Sequence, residues 1–102
     1  MQSKINKNSQ NRQGVIGTYV HSNGRVGVLI ELFCQTDFAS RTSEFKELAH
    51  DLAMQVAAMG KKDLSKQKYI KNLEMSIHDI IQEKAEKLGE EIKIGRIVRY
   101  RL

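Results

Sequence analysis

Three histidines, one cysteine and a pair of adjacent carboxylates are the side chains of this 102-residue sequence with the types that catalysis or metal binding would need. His21, His50 and His78 are far apart, and none is set in a pattern that resembles a zinc site. His50-Asp51 reads as an exposed helical pair. Cys34 could serve as a nucleophile if His50 approached it. Its strand, however, carries it on a fully apolar face, where a thiol acts as a small hydrophobe with a raised pKa. A lone cysteine also excludes an internal disulfide and a cysteine-based metal cluster, in keeping with a reducing cytosol. Glu90-Glu91 sits at a helix end without a supporting site. No glycine-rich loop leads into a helix with lysine, so a nucleotide-binding P-loop is not expected. No catalytic residue, no metal and no cofactor follow from these residues, and the chain is not expected to be an enzyme.

Charge offers a second kind of chemistry. Seventeen Lys and Arg against twelve Asp and Glu give a net charge of +5. Lys61, Lys62, Lys66, Lys68 and Lys71 crowd one segment, and Lys93, Arg96, Arg99 and Arg101 crowd the C-terminus. With Tyr69 and Tyr100 they could make a basic, ring-bearing RNA surface; the competing reading is a solvated face whose lysine stems cover apolar surface. Gly24-Arg25-Val26-Gly27 has the spacing of the loop that clamps RNA in KH domains. That loop must join two helices, and here it follows a hairpin turn and opens a strand.

The third candidate is a recognition element. An apolar run over residues 28–33 stops at Gln35-Thr36-Asp37, and Phe38-Ala39 follows just before a helix. Thr36 and Asp37 can bond to the free backbone N–H groups of a helical turn and so aim the next side chain. On local grounds Phe38 is either a plug for the domain's own core or a knob for a partner.

The elements that must position these residues are legible. Residues 1–13 are polar and lack periodicity, and are expected to form a disordered arm ahead of one domain over 14–102. Residues 15–21 and 25–34 read as two strands joined by a hairpin at Ser22-Asn23-Gly24, with Asn-Gly suited to a type I′ turn. Val26, Val28, Ile30, Leu32 and Cys34 form an apolar face. Residues 42–59 are a helix with the stripe Phe45, Leu48, Ala49, Leu52, Ala53, Val56 and Met59, capped by Thr42 and ended by Gly60. A second helix is read over 65–88 from Ile70, Leu73, Ile77, Ile80, Ile81 and Leu88, ending at Gly89. Residues 91–102 alternate as a strand, with Ile92, Ile94, Arg96, Val98 and Tyr100 on one face and Ile97 and Arg99 on the other.

The order strand, strand, helix, helix, strand predicts an α+β domain: a three-stranded antiparallel sheet with two helices packed on one face. Leu29, Phe33 and Ile97 then fall on the open face, which implies that a second chain covers it. No apolar run approaches the roughly 20 residues needed to cross a bilayer, and the N-terminus carries no secretory signal, so a cytoplasmic location without a membrane partner is expected.

Three stretches resemble a known family. Gly24-Arg-Val-Gly-Val-Leu-Ile-Glu31 with Cys34-Gln-Thr-Asp-Phe38, then Glu44-Phe-Lys-Glu-Leu48 with Asp51-Leu-Ala-Met-Gln55, then residues 89–100 resemble the core module of bacterial elongation factor Ts. The resemblance implies a guanine-nucleotide exchange factor that binds the G domain of elongation factor Tu. Phe38 would be the wedge that disturbs the phosphate and magnesium site so that GDP leaves, with Thr36 and Asp37 orienting it. Ala39 stands where the family usually has valine. Nothing before Gly14 resembles the small helical domain with which members usually begin, and the usual insertion between the core halves is reduced to the region 61–86. This pattern matches short-form members, whose single core module pairs as a homodimer. An RNA- or ribosome-binding module, and a factor Tu-binding protein without exchange activity, are the alternatives.

Overall fold

The computed structural model of the chain describes residues 13–102. The arm read over residues 1–13 lies outside that range except for Gln13, which opens the first strand. Strand β1 (Gln13–Val20) runs antiparallel to β2 (Val26–Cys34), with Gln13 opposite Cys34 and Val20 opposite Gly27. The turn between them is not type I′. Gly24 N–H donates to the His21 carbonyl at 2.7 Å, and Gly24 alone in the turn has positive φ, at 72°. Asn23 keeps negative φ, so the third turn residue takes the left-handed position, and the hairpin has the longer loop built on an ordinary turn.

After β2 come a short helix α1 (Asp37–Ser40) and the long helix α2 (Ser43–Met59). Thr42 caps α2, its hydroxyl accepting the Phe45 N–H at 3.1 Å, and Gly60 ends it. The stripe of α2 lies on β1 and β2. Phe45, Leu48, Leu52 and Val56 pack against Val28, Ile30 and Leu32 from the sheet, together with Ile77 and Ile80. Burying each of these larger side chains contributes about 1.5–3 kcal/mol. The helix approaches β1 so closely at Gly17 that a Cβ there would overlap the Ala49 backbone carbonyl.

The second helix is shorter than its periodicity indicates. Residues 64–88 divide into a 3₁₀ turn (Leu64–Lys66), a hairpin of β3 (Lys68–Tyr69) and β4 (Asn72–Ser76), and helix α3 (Ile77–Leu88). The stop signal is local. Ser76 accepts the Asp79 N–H while the Asp79 carboxylate accepts the Ser76 N–H, a capping box that can only start a helix. Ile70 and Leu73 therefore belong to the hairpin and are exposed.

Strand β5 (Lys93–Arg101) pairs antiparallel with β2, completing a sheet of order β1-β2-β5. Its register shifts between Leu32, opposite Ile94, and Ile30, opposite Ile97. That bulge reverses the alternation expected for the strand. Ile92, Ile94 and Ile97 face the core, whereas Val98 and Tyr100 turn outward. The architecture is thus the expected α+β one, a three-stranded antiparallel sheet with two main helices. Its uncovered face carries Ile16, Val20, Leu29, Val98 and Tyr100 rather than Ile97.

Candidate partner-binding site

The segment after β2 is built to present one side chain. Thr36 has extended backbone (φ −127°, ψ 151°), and its hydroxyl accepts the Ala39 N–H at 3.1 Å, which starts α1. Four residues are too few for a helix to hold itself, so the flanks must do so. The Ser40 hydroxyl donates to the Asp37 carbonyl at 2.7 Å, and the Thr42 hydroxyl donates to the Ala39 carbonyl at 2.8 Å. Arg41 and Asp37 form an exposed ion pair at 2.9 Å, a contact that contributes little to stability.

The four candidate residues separate cleanly. Phe38 is 82% exposed, while Ala39 is 3% exposed and belongs to the core cluster. Thr36 and Asp37 lie at the surface beside the ring. The core plug of this junction is therefore Ala39, and Phe38 is left projecting.

The sequence gives no local signal for the group that fixes this turn from the other side. Glu90 accepts the Gln35 N–H at 2.7 Å and the Thr36 N–H at 3.0 Å on one oxygen, and the Thr36 hydroxyl at 2.8 Å on the other. The Gln35 side chain returns a contact by accepting the Glu91 N–H at 2.8 Å. Those bonds, the Thr36 hydroxyl first, hold the Glu90 carboxyl below the usual carboxylate range. Glu90 is placed by the end of α3. Gly89 is left-handed (φ 69°), its N–H reaches the Glu86 carbonyl, and the Glu90 N–H reaches the Ala85 carbonyl at 3.0 Å. This is the helix ending that glycine permits. Of the adjacent carboxylates Glu90 and Glu91, the first thus braces this turn, while the second contributes only its backbone N–H.

Cys34, His50, His21 and Asp51 have structural partners. Cys34 is buried, its thiol donating to the Thr36 carbonyl at 3.3 Å, and burial pushes its pKa up. His50 contacts the Thr18 carbonyl through Nδ1 at 2.9 Å, and the His21 Nδ1 lies 3.2 Å from the Tyr19 hydroxyl. Asp51 is not exposed. It is buried on the side of α2 that meets the β3–β4 hairpin, where it accepts the Tyr69 hydroxyl at 3.2 Å and the Lys71 ammonium at 3.0 Å. Among the described residues, no group of three or more His, Cys, Asp or Glu side chains converges to hold a metal ion.

The basic surface also changes character. Tyr69 is buried, so its ring offers no stacking platform. Lys71 is engaged with Asp51, and Arg99 turns under the sheet to donate to the Ala57 carbonyl at 3.0 Å. Arg96 grips Glu31 through Nη2 at 2.6 Å. Only Tyr100 remains as an exposed ring among the C-terminal arginines. No helix among the described residues is long and apolar enough to cross a membrane.

Comparison with known proteins agrees with the motifs around this turn. A family model described as elongation factor TS matches residues 2–68 and 35–102, two overlapping spans. Elongation factor Ts of Moorella thermoacetica is 32% identical over 136 residues, covering 86% of this chain and 67% of that protein. The Thermotoga petrophila elongation factor Ts is 44% identical over 99 residues, covering 87% of this chain and 47% of its own length. A 48-residue stretch is 65% identical to the Thermotoga maritima protein of the same name. The chain thus spans between about half and two thirds of the length of several of the curated relatives it matches. With the family model matching across the sheet, both main helices and the Thr36–Ala39 turn, the chain belongs to the elongation factor Ts family.

Proposed function

We propose that this chain binds the G domain of elongation factor Tu in the cytoplasm and promotes release of GDP, with Phe38 as the inserted side chain. The observation that carries the reading is the exposure of Phe38 at 82% on a turn braced from both ends. A fully exposed aromatic has no role in its own core, and seating it in a partner's pocket would contribute about 1.5–3 kcal/mol. If that energy is gained only when the nucleotide site is distorted, each 1.4 kcal/mol weakens GDP about tenfold. By linkage, GDP then weakens binding of this chain by the same factor. Thr36 and Asp37 orient the ring, and Ala39 anchors the turn from inside the core.

The family likeness supports this reading over an RNA-binding one, and so do the engaged side chains of Tyr69, Lys71 and Arg99. The open sheet face, with Leu29 at 49% exposure, is assigned to a second copy of the chain, as in short-form members built on one core module. The deciding experiment is release of labelled GDP from the cognate factor Tu. The wild-type chain accelerates release and Phe38→Ala does not; release unchanged by the wild type overturns the exchange reading. Complex formation without faster release would instead identify a binding protein that lacks exchange activity. Tight RNA binding that falls steeply with salt and ignores Phe38→Ala would favour the nucleic-acid alternative.

A further inference from the structure

The turn that carries Phe38 receives a contact from the far end of the sequence, through Glu90. At its C-terminal end α1 is held by the Ser40 and Thr42 hydroxyls and by the burial of Ala39, while the exposed Asp37–Arg41 pair adds little. Upstream, the starting bond is the Ala39 N–H to the Thr36 hydroxyl. A threonine hydroxyl has one proton and two lone pairs, and it can rotate. Here its proton is given to Glu90 Oε2 at 2.8 Å, which leaves a lone pair for the Ala39 N–H at 3.1 Å. Glu90 Oε1 meanwhile takes the backbone N–H groups of Gln35 and Thr36, so the chain two and three residues ahead of the knob is tied to one carboxylate. That carboxylate is itself set by the left-handed Gly89 ending of α3.

We propose that Glu90 is the positioning residue of the Phe38 knob, fixing through Thr36 the direction in which the ring projects. The inference rests on the exchange reading above for its consequence in activity, and on the Thr36–Glu90 geometry for its structural part. An ionised carboxylate only accepts, which suits three donors aimed at it. The near-isosteric Glu90→Gln removes the charge that strengthens all three contacts. With its Oε1 on the two backbone N–H groups, its Nε2 faces the Thr36 hydroxyl, which must turn to accept from it as well as from the Ala39 N–H, so the hydroxyl proton loses its carboxylate acceptor.

The test compares wild type, Glu90→Gln, Phe38→Ala and the double variant in release of fluorescent GDP from the cognate factor Tu. Alongside it go thermal melting and hydrogen exchange at the Ala39 amide. Glu90→Gln is expected to slow stimulated release by about tenfold and to speed Ala39 exchange by about tenfold, as for loss of a charge-assisted hydrogen bond. Its melting transition stays within a few degrees of wild type, and in the Phe38→Ala background it causes no further loss. Wild-type release by Glu90→Gln overturns the proposal. So does an equal loss in both backgrounds with a matching fall in melting temperature, which marks a general structural role. If the wild-type chain does not stimulate release, the exchange reading fails, and Ala39 exchange alone decides the structural part. Faster exchange in Glu90→Gln upholds it and unchanged exchange overturns it.

Discussion

Phe38 and Ala39 are adjacent in the chain and occupy opposite environments, the ring 82% exposed and the methyl 3%. They point in different directions because consecutive residues on a helix lie about a quarter-turn apart. The turn thus spends its small residue on the core and its large one on solvent, the reverse of what core packing alone selects. Such an inversion is expected where a side chain is kept for a partner.

The pair gives the first prediction. Phe38→Ala leaves the midpoint of urea unfolding within about 0.5 kcal/mol of wild type, since it removes no buried contact. Ala39→Asp buries a carboxylate in the hydrophobic core, and it lowers stability by at least about 2 kcal/mol. Equilibrium unfolding monitored by circular dichroism checks both. A large loss from Phe38→Ala would mean that the ring supports the fold.

Asp51 supplies the second. Its buried carboxylate accepts from Tyr69 and Lys71 and joins α2 to the small hairpin. Nearby, Gln55 bonds the Ile70 N–H, the Lys68 carbonyl and the Gln67 side chain, so the hairpin hangs on two polar residues of one helix. Asp51→Ala strands the Tyr69 hydroxyl inside the fold and costs about 1–3 kcal/mol. The loss is local first: amides of residues 68–76 exchange faster before those of β2 do, which hydrogen exchange with mass spectrometry resolves.

The contrast between these sites shows what the sequence carried. The stripe of α2 from Phe45 to Val56 and the face of β2 from Val28 to Cys34 follow from side-chain period alone and lie in the core, whereas Met59, at the last turn of α2, is exposed and Val26 lies outside the core cluster. The Thr36 cap was legible because capping is a local matter, whereas the exposure of Phe38 was not, since a junction aromatic can turn either way. Residues 65–88 were misleading because the isoleucines and leucines of a hairpin and a helix happened to keep helical spacing; the Ser76–Asp79 box was the stronger signal. The β5 bulge was invisible, since its cause is pairing with β2. Asp51 and Glu90 were invisible for a similar reason: the partners that give them roles are supplied from elsewhere in the fold.

Acid stability is the third prediction. Glu44 is held below the usual carboxylate range by Lys87 and Lys84, Asp79 by the Ser76 N–H, and Glu90 by the Thr36 hydroxyl. Each folded-state pKa is lower than the unfolded one, so in acid the unfolded chain binds more protons. The stabilisation is full above the ordinary Asp and Glu range and is lost as pH falls through that range to the lowered values. The contribution of these three carboxylates is therefore constant from about pH 6 to neutrality and declines on acidification below about pH 5. Asp79→Asn and Glu44→Gln each flatten the decline in urea titrations repeated across pH. An unchanged slope in both would remove these carboxylates from the account.

The final prediction concerns the uncovered sheet face. Leu29 on β2 is registered against Val98 on β5, and the two are 49% and 42% exposed. Ile16 and Val20 extend the patch along β1, and Tyr100 extends it along β5. The bulge matters here, because by turning Ile97 inward it brings Val98 onto the same face as Leu29. A second copy can bury this face against its own by a two-fold axis, using one patch twice. Sedimentation equilibrium at micromolar concentration is then expected to give the mass of a dimer for the wild type. Leu29→Glu places a charge at the centre of the patch and gives a monomer, while the side chain's existing exposure keeps the cost to the fold near or below about 1 kcal/mol. A monomeric wild type would sink the two-copy reading of the face. A Leu29→Glu variant that remains dimeric would move the interface elsewhere on the chain.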